Sequence, residues 1–365
     1  MNHRITTALL LLAGSTLLSY AQAPADSPVQ DTAVSADNQS VAPLTQDDKL
    51  RTGKLENGLS YMIRPTAEPA GRASIRLFVE TGSLDESEET SGVAHFLEHL
   101  VFNGSRHYKR GELIPKMQKL GLGFGGDANA YTSLLHTVYK LDLPNLDEET
   151  VDFALTIMRD FADGATLEDE AIDKERGIVI SELKSRDSEK YRAMIGTLRH
   201  LTEGSRVADF MPIGLEKVIR NISHQQVRDY YKEHYVPERM TLIITGDVKP
   251  ETAEEWVRQY FGSMEKREPL SRPAIGMLTD TPTREVLITN NEQADTSIVM
   301  CIPNAWEDKP DTLEQRIKNV PLELACAMYD RRIERIARRA DSPFQGAGID
   351  KGSLFRAAEP FTLNT

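Results

Sequence analysis

SGVAHFLEHLVFNGS, residues 91–105, is the stretch on which the fold turns. It reads as a helix over Thr90–Phe102, and Phe96, Leu97, Leu100 and Val101 make that helix strongly apolar. Its polar members His95, Glu98 and His99 are therefore expected in a largely buried setting, where charges need partners. Just upstream, Ala73, Ile75, Leu77 and Val79 alternate with Ser74, Arg76, Phe78 and Glu80, the period-two pattern of a half-buried strand that ends at Gly82. With the strands and helices that follow, this strand and helix read as part of an α+β unit.

Working outward, Leu55-Glu56-Asn57-Gly58-Leu59 supplies a hairpin turn. Glu112–Leu120 reads as a helix closed by Gly121, and Asn129–Leu143, rich in β-branched and aromatic residues, as one long strand. Helices are expected over Glu148–Ala162, Glu168–Ser185 and Glu189–Thr202. Ser223 with Gln226 forms a capping box that opens another helix to about His234, before a strand at Met240–Thr245 and a helix at Pro250–Phe261. This first unit is assigned to 49–264. Over 265–282 charge and proline replace the apolar period, the signature of a linker. A second unit over 283–365 has strand patterns at Glu285–Thr289 and Ser297–Ile302 and a helical stretch around Glu314–Ala340, and it reads as incomplete.

The chain has 365 residues, 40% of them hydrophobic, with 43 Lys and Arg against 56 Asp and Glu for a net charge of −13. That is enough apolar content for one or two cores, and without a basic cluster it excludes nucleic acid as the main partner. Two cysteines, Cys301 and Cys326, exclude a disulfide scaffold and a Cys-rich zinc ribbon, so any metal must be held by His and carboxylate. Whether the two pair is left open by their strand and helix contexts. The amino terminus has a cationic start, an apolar run from Ile5 to Leu18 and small residues at Ser19 and Ala21, which reads as a signal peptide over 1–21. Residues 22–48 contain no Lys or Arg and show no apolar period, as a solvated tether would. No other stretch approaches the ~20 apolar residues of a membrane span, so an exported, periplasmic protein is expected.

On a helix, positions i and i+4 lie on one face a turn apart, so His95 and His99 can offer two imidazole nitrogens to one ion. Glu98 sits beside them, within reach of a water at such an ion. This is the donor set of hydrolytic zinc sites, and H-x-x-E-H is a zinc-hydrolase signature. A third donor should come from another element. Glu175 and Glu182, two turns apart on one predicted helix, are the candidates, and spacing does not choose between them.

These residues, with Ser91-Gly-Val-Ala94, Phe102-Asn-Gly-Ser105, Asn129-Ala-Tyr-Thr132, Glu175–Glu182, Gly204-Ser-Arg206, Pro212-Ile-Gly214 and Pro343–Gly348, resemble the inverzincin metallopeptidases of the pitrilysin, insulin-degrading enzyme and mitochondrial processing peptidase group, peptidase family M16. The likeness spans about residues 50–365 and is strongest to large exported bacterial zinc proteases. The resemblance implies a LuxS/MPP-like metallopeptidase fold: α/β units, each an antiparallel sheet packed against helices, forming two halves around a chamber. One complete unit and part of a second would be present here. It further implies one zinc ion per chain on His95, His99 and Glu182, Glu98 as general base, Glu175 as an assisting acid, and Asn129 and Ala130 as substrate contacts. The segment between His99 and Glu182 is longer than the family commonly has, which reads as an insertion ahead of the helix. The implied function is zinc-dependent endopeptidase or oligopeptidase, with peptide or unfolded protein as substrate and a further half or partner subunit needed to enclose it. The alternative is a non-catalytic scaffold or peptide-binding subunit of the same fold.

Other signals are weaker. Gly121-Leu-Gly-Phe-Gly-Gly126 fits a dinucleotide fingerprint, but it follows a helix and precedes a strand, the reverse of the required context, and reads as a turn. His107, His136, His200, His224 and His234 have no paired ligand spacing and are assigned structural or surface roles. The arginines at 331, 332, 335, 338 and 339 read as a solvated helix face.

Overall fold

The computed structural model describes residues 44–276, 285–289, 297–302 and 304–364. The expected signal peptide, most of the tether and the end of the 265–282 linker lie outside the described residues. None of the described helices is long and apolar enough to cross a membrane.

The larger sheet has six strands: β1 (Arg51–Lys54), β2 (Ser60–Pro65), β3 (Ala73–Val79), β4 (Ala128–Thr132), β5 (Thr137–Leu143) and β6 (Met240–Gly246). Their order is β1-β2-β6-β3-β5-β4, antiparallel except for β2 beside β6. Ile75, Leu77 and Val79 of β3, Tyr139 and Leu141 of β5, and Leu242 and Ile244 of β6 all turn to one buried face, as the period-two pattern requires. Against that face pack α1 (Val93–Leu100), α3 (Glu148–Asp163) and further helices, with Phe96, Phe153 and Phe161 fully buried. The remaining helices of this part are α2 (Leu113–Lys119), α4 (Asp169–Arg186), α5 (Glu189–Leu201), α6 (Glu216–Asn221), α7 (His224–His234) and α8 (Pro250–Phe261). A second, antiparallel sheet runs β7-β8-β10-β9 from Glu285–Thr289, Ser297–Ile302, Phe361–Asn364 and Gly348–Lys351, and α9 (Leu313–Ala337) contacts it at β9.

The strand expected to run unbroken over Asn129–Leu143 is a hairpin instead. Ser133 N–H donates to His136 O at 2.7 Å, and β4 and β5 pair on either side. Residue chemistry favoured strand along the whole stretch but carried no cue to the reversal. Leu134, in the turn, is buried with Leu84, Val207, Phe210 and Ala357, a contact made across distant parts of the chain. Residues 265–276 have no regular structure yet are strapped to the first sheet's surroundings. Arg272 donates to both oxygens of buried Asp85 at 3.0 Å and to Glu80 O and Leu135 O, while Arg239 reaches Asp85 from the other side at 3.1 Å.

α1 starts at Val93 because Gly92 is in the left-handed region, φ 95, and presses against Gly214, φ 71. A Cβ on Gly214 would stand 2.3 Å from Gly92 Cα, backbone against backbone. Gly214→Ala is therefore expected to cost roughly 1–3 kcal/mol from strain and overpacking. Urea denaturation measures it, and an unchanged midpoint would contradict this contact.

His234, at the end of α7, is buried beneath Tyr230 at a ring separation of 4.1 Å. Burial lowers its pKa to about 4; Arg239 and Arg272 add to the effect and Asp85 opposes it. The unfolded chain takes up this proton near pH 6.5 and the folded one only near 4, so stability is full above pH 6.5 and falls as pH drops through that window. The expected loss is on the order of 3 kcal/mol. His234→Gln should flatten the fall between pH 7 and 5 in thermal denaturation; an equally steep fall would mean other groups carry it.

Candidate metal centre

The site is built on the amino-terminal end of α1. Glu86 caps that end: Oε2 accepts from Gly92 N–H at 2.7 Å and Oε1 from Ala94 N–H at 2.8 Å. Burial pushes the Glu86 carboxyl up, and the two backbone donors oppose this. One turn inside, His95 and His99 face each other edge-on at 4.8 Å between ring centroids. α4 lies across α1 and delivers its two glutamates at different depths.

Glu182 Oε2 is 3.3 Å from His99 Nε2 and 3.8 Å from His95 Nε2. One donor atom from each of these three residues lies within 4.8 Å of the others, and they are the only such potential metal-holding group among the described residues. Glu175 stands behind the pair, its Oε1 3.0 Å from His99 Nδ1. The spacing left Glu175 and Glu182 equivalent; the structure puts Glu182 with the two Nε2 atoms and Glu175 on the far side of the His99 ring. A proton on Nδ1 donated to Glu175 leaves the Nε2 lone pair free to coordinate, the usual tautomer of a ligating histidine. Arg186, one turn beyond Glu182, takes that carboxylate's other oxygen.

Electrostatics point the same way. Burial lowers the His95 pKa to about 4, with His99 adding to the effect, so it is neutral near pH 7. Burial also works against a charge on His99, but the hydrogen bonds it donates to Glu175 and Glu182 outweigh it and raise its pKa to about 9. The His99 hydrogen bond is the main reason that Glu182 sits at about 2. The carboxylates thus create a demand for positive charge at this point, which a divalent cation meets as a proton does. Two imidazole nitrogens and a carboxylate oxygen are a fitting donor set for zinc.

Glu98 lies on the same helix, and its Oε2 accepts from Thr132 Oγ1 at 2.6 Å. Burial raises its pKa, against the pull of that hydroxyl. Thr132 ends β4, an edge strand of the sheet, which also carries Asn129 and Ala130. Asp142 N–H donates to Asp127 O, so by alternation the Ala130–Tyr139 pair is not hydrogen-bonded and the Ala130 N–H and C=O point away from β5. Asn129 Oδ1 accepts that outward N–H at 2.9 Å.

Three neighbours escaped sequence reasoning in these roles: Thr132, Asn103, whose Nδ2 donates to Glu175 Oε2 at 2.8 Å, and Glu86. The first two stand inside the quoted motifs, but no spacing rule announces a hydroxyl or amide donor to a residue on another element. The other histidines lie elsewhere: His107 bonds Asp160 at 2.8 Å, His224 bridges Asp169 and Asp173, and the His136 ring meets Tyr131 edge-on and lies tilted against Phe78. Gly121–Gly126 forms the turn between α2 and β4.

Residues 61–203 match the domain family described as Insulinase (Peptidase family M16), and residues 221–319 match the Peptidase M16 inactive domain. The chain is 37% identical over 212 residues to "Probable zinc protease PqqL" of Escherichia coli, covering 58% of this chain and 23% of that protein. It is 29% identical over 317 residues to the mitochondrial-processing peptidase subunit beta of Saccharomyces cerevisiae, covering 86% of this chain and 66% of the relative. Among solved structures it is similar to the first half of the periplasmic protease PqqL from Escherichia coli, with TM-score 0.75 and 27% identity over 88% of this chain and 69% of that one. The chain therefore spans about a quarter of the length of the PqqL proteins it matches.

Proposed function

Because this chain belongs to peptidase family M16, the insulinase family, we propose that it is the zinc-binding part of an exported endopeptidase or oligopeptidase. The convergence of His95, His99 and Glu182 beside Glu98 carries the reading. In it, 49–264 is the catalytic unit, 265–282 a linker and 283–365 part of a second peptidase-like unit. The signal-peptide pattern at 1–21 and the likeness to a periplasmic protease support a periplasmic location.

One zinc ion per chain would be held by His95, His99 and Glu182, whose donor atoms lie within 4.8 Å of one another. When bound, it supplies a Lewis acid that polarises a peptide carbonyl and acidifies water. Glu98 takes the proton from the attacking water and returns it to the leaving amine, a role suited to a carboxylate whose proton affinity is raised by burial. Thr132 donates to that carboxylate from β4, which ties the base to the substrate edge. An extended peptide adds to β4 through backbone bonds largely indifferent to its side chains. Asn129 and Ala130 bind it: the Ala130 N–H is the donor for a substrate carbonyl once Asn129 Oδ1 swings aside. The remaining length of the protein, or a partner subunit, encloses the substrate.

Zinc quantitation on the purified chain, paired with cleavage of an unstructured peptide by the longer protein, tests this. One zinc per chain with turnover is the expected result. One zinc and no turnover in the longer protein would favour a non-catalytic scaffold.

A further inference from the structure

Asn103 closes the 3-10 turn that ends α1, directly before Gly104. Its side-chain amide is shared between two groups: Nδ2 donates to His99 O at 3.2 Å and to Glu175 Oε2 at 2.8 Å. Glu175 then has both oxygens engaged, Oε2 by Asn103 and Oε1 by His99 Nδ1 at 3.0 Å. A carboxylate held at one oxygen can still rotate; held at both, it presents a fixed acceptor. Asn103 is itself anchored through the following loop. Wholly buried Asp160 accepts from Ser105 Oγ at 2.6 Å, from His107 N–H at 3.1 Å and from His107 Nδ1 at 2.8 Å.

We propose that Asn103 is a positioning residue for the metal centre, acting through Glu175 to hold the His99 ring with Nε2 turned toward His95 and Glu182. The proposal rests on the zinc reading above. It distinguishes Asn103 from a simple helix cap, because its contact to His99 O alone would leave Glu175 free to turn.

Zinc affinity of the 365-residue chain, measured by competition with a chromophoric chelator, is expected to fall about tenfold or more in Asn103→Ala, within the roughly 10–100-fold range of outer-shell partners. Asn103→Asp keeps the size but sets a second acceptor against Glu175, and should lose at least as much. The thermal midpoint of the zinc-free protein is read alongside. In a Glu175→Ala background the Asn103→Ala loss should vanish, since the path through Glu175 is gone. A loss that persists undiminished there makes Asn103 only a cap on His99 O and overturns the proposal. A lowered zinc-free midpoint with unchanged affinity overturns it as well. If the wild-type chain binds no zinc, the metal reading itself fails; if it binds and both variants match it, the role of Asn103 alone fails.

Discussion

A Glu98→Gln protein is expected to bind zinc as the wild type does and to hydrolyse peptides roughly 10²–10⁴-fold more slowly, the usual contribution of a positioned acid–base group. The amide keeps the size of the carboxylate and can still accept from Thr132 Oγ1, so the helix and the β4 edge should stay in place. What it loses is the capacity to take a proton. Because Glu98 is no part of the three-donor group, metal content and turnover should separate cleanly in this variant. Peptide cleavage by the longer protein, with zinc content measured on the same preparation, decides the matter. Retained zinc with undiminished cleavage would remove Glu98 from the chemistry.

Glu182→Gln and Glu175→Gln should separate just as clearly, but in affinity. Glu182 offers an oxygen 3.3 Å from His99 Nε2, so the amide leaves at most a weak carbonyl donor there and removes the negative charge that balances the ion. Zinc binding should weaken by more than the roughly 10–100-fold expected of an outer-shell partner. Glu175 touches the ring from the opposite nitrogen, and its replacement should stay within that range, about 1.4 kcal/mol for each factor of ten. Chelator competition on both variants gives the order. Equal losses, or a larger loss for Glu175→Gln, would reverse the roles drawn from the geometry. Thermal denaturation of the zinc-free variants controls for folding, since Glu175 is buried and Glu182 is half-buried.

Much of this was legible before any coordinates. The helix around His95 and His99 followed from its apolar residues, and a helix of 3.6 residues per turn leaves little choice about where its i and i+4 side chains point. The β3 alternation, the Ser223–Gln226 capping box and the limits of α8 were equally local, and each appears in the fold. The hairpin within 129–143 was not, because Leu134 is drawn into a turn by Leu84, Val207 and Phe210 rather than by its neighbours. The parallel pairing of β2 with β6 is of the same kind: it joins Ser60 to Thr241 and Pro65 to Gly246, segments far apart in the chain.

By itself, then, the sequence determined the class of fold, the zinc-hydrolase pentapeptide and a pair of glutamates equally suited to complete it. Only the tertiary structure put Glu182 at the imidazole Nε2 atoms, Glu175 and Asn103 behind His99, and Thr132 of an edge strand against Glu98. The reason is physical: backbone geometry sets the direction of side chains within one helix or strand, whereas the distance between side chains on different elements depends on how the whole core packs, and no local periodicity contains it.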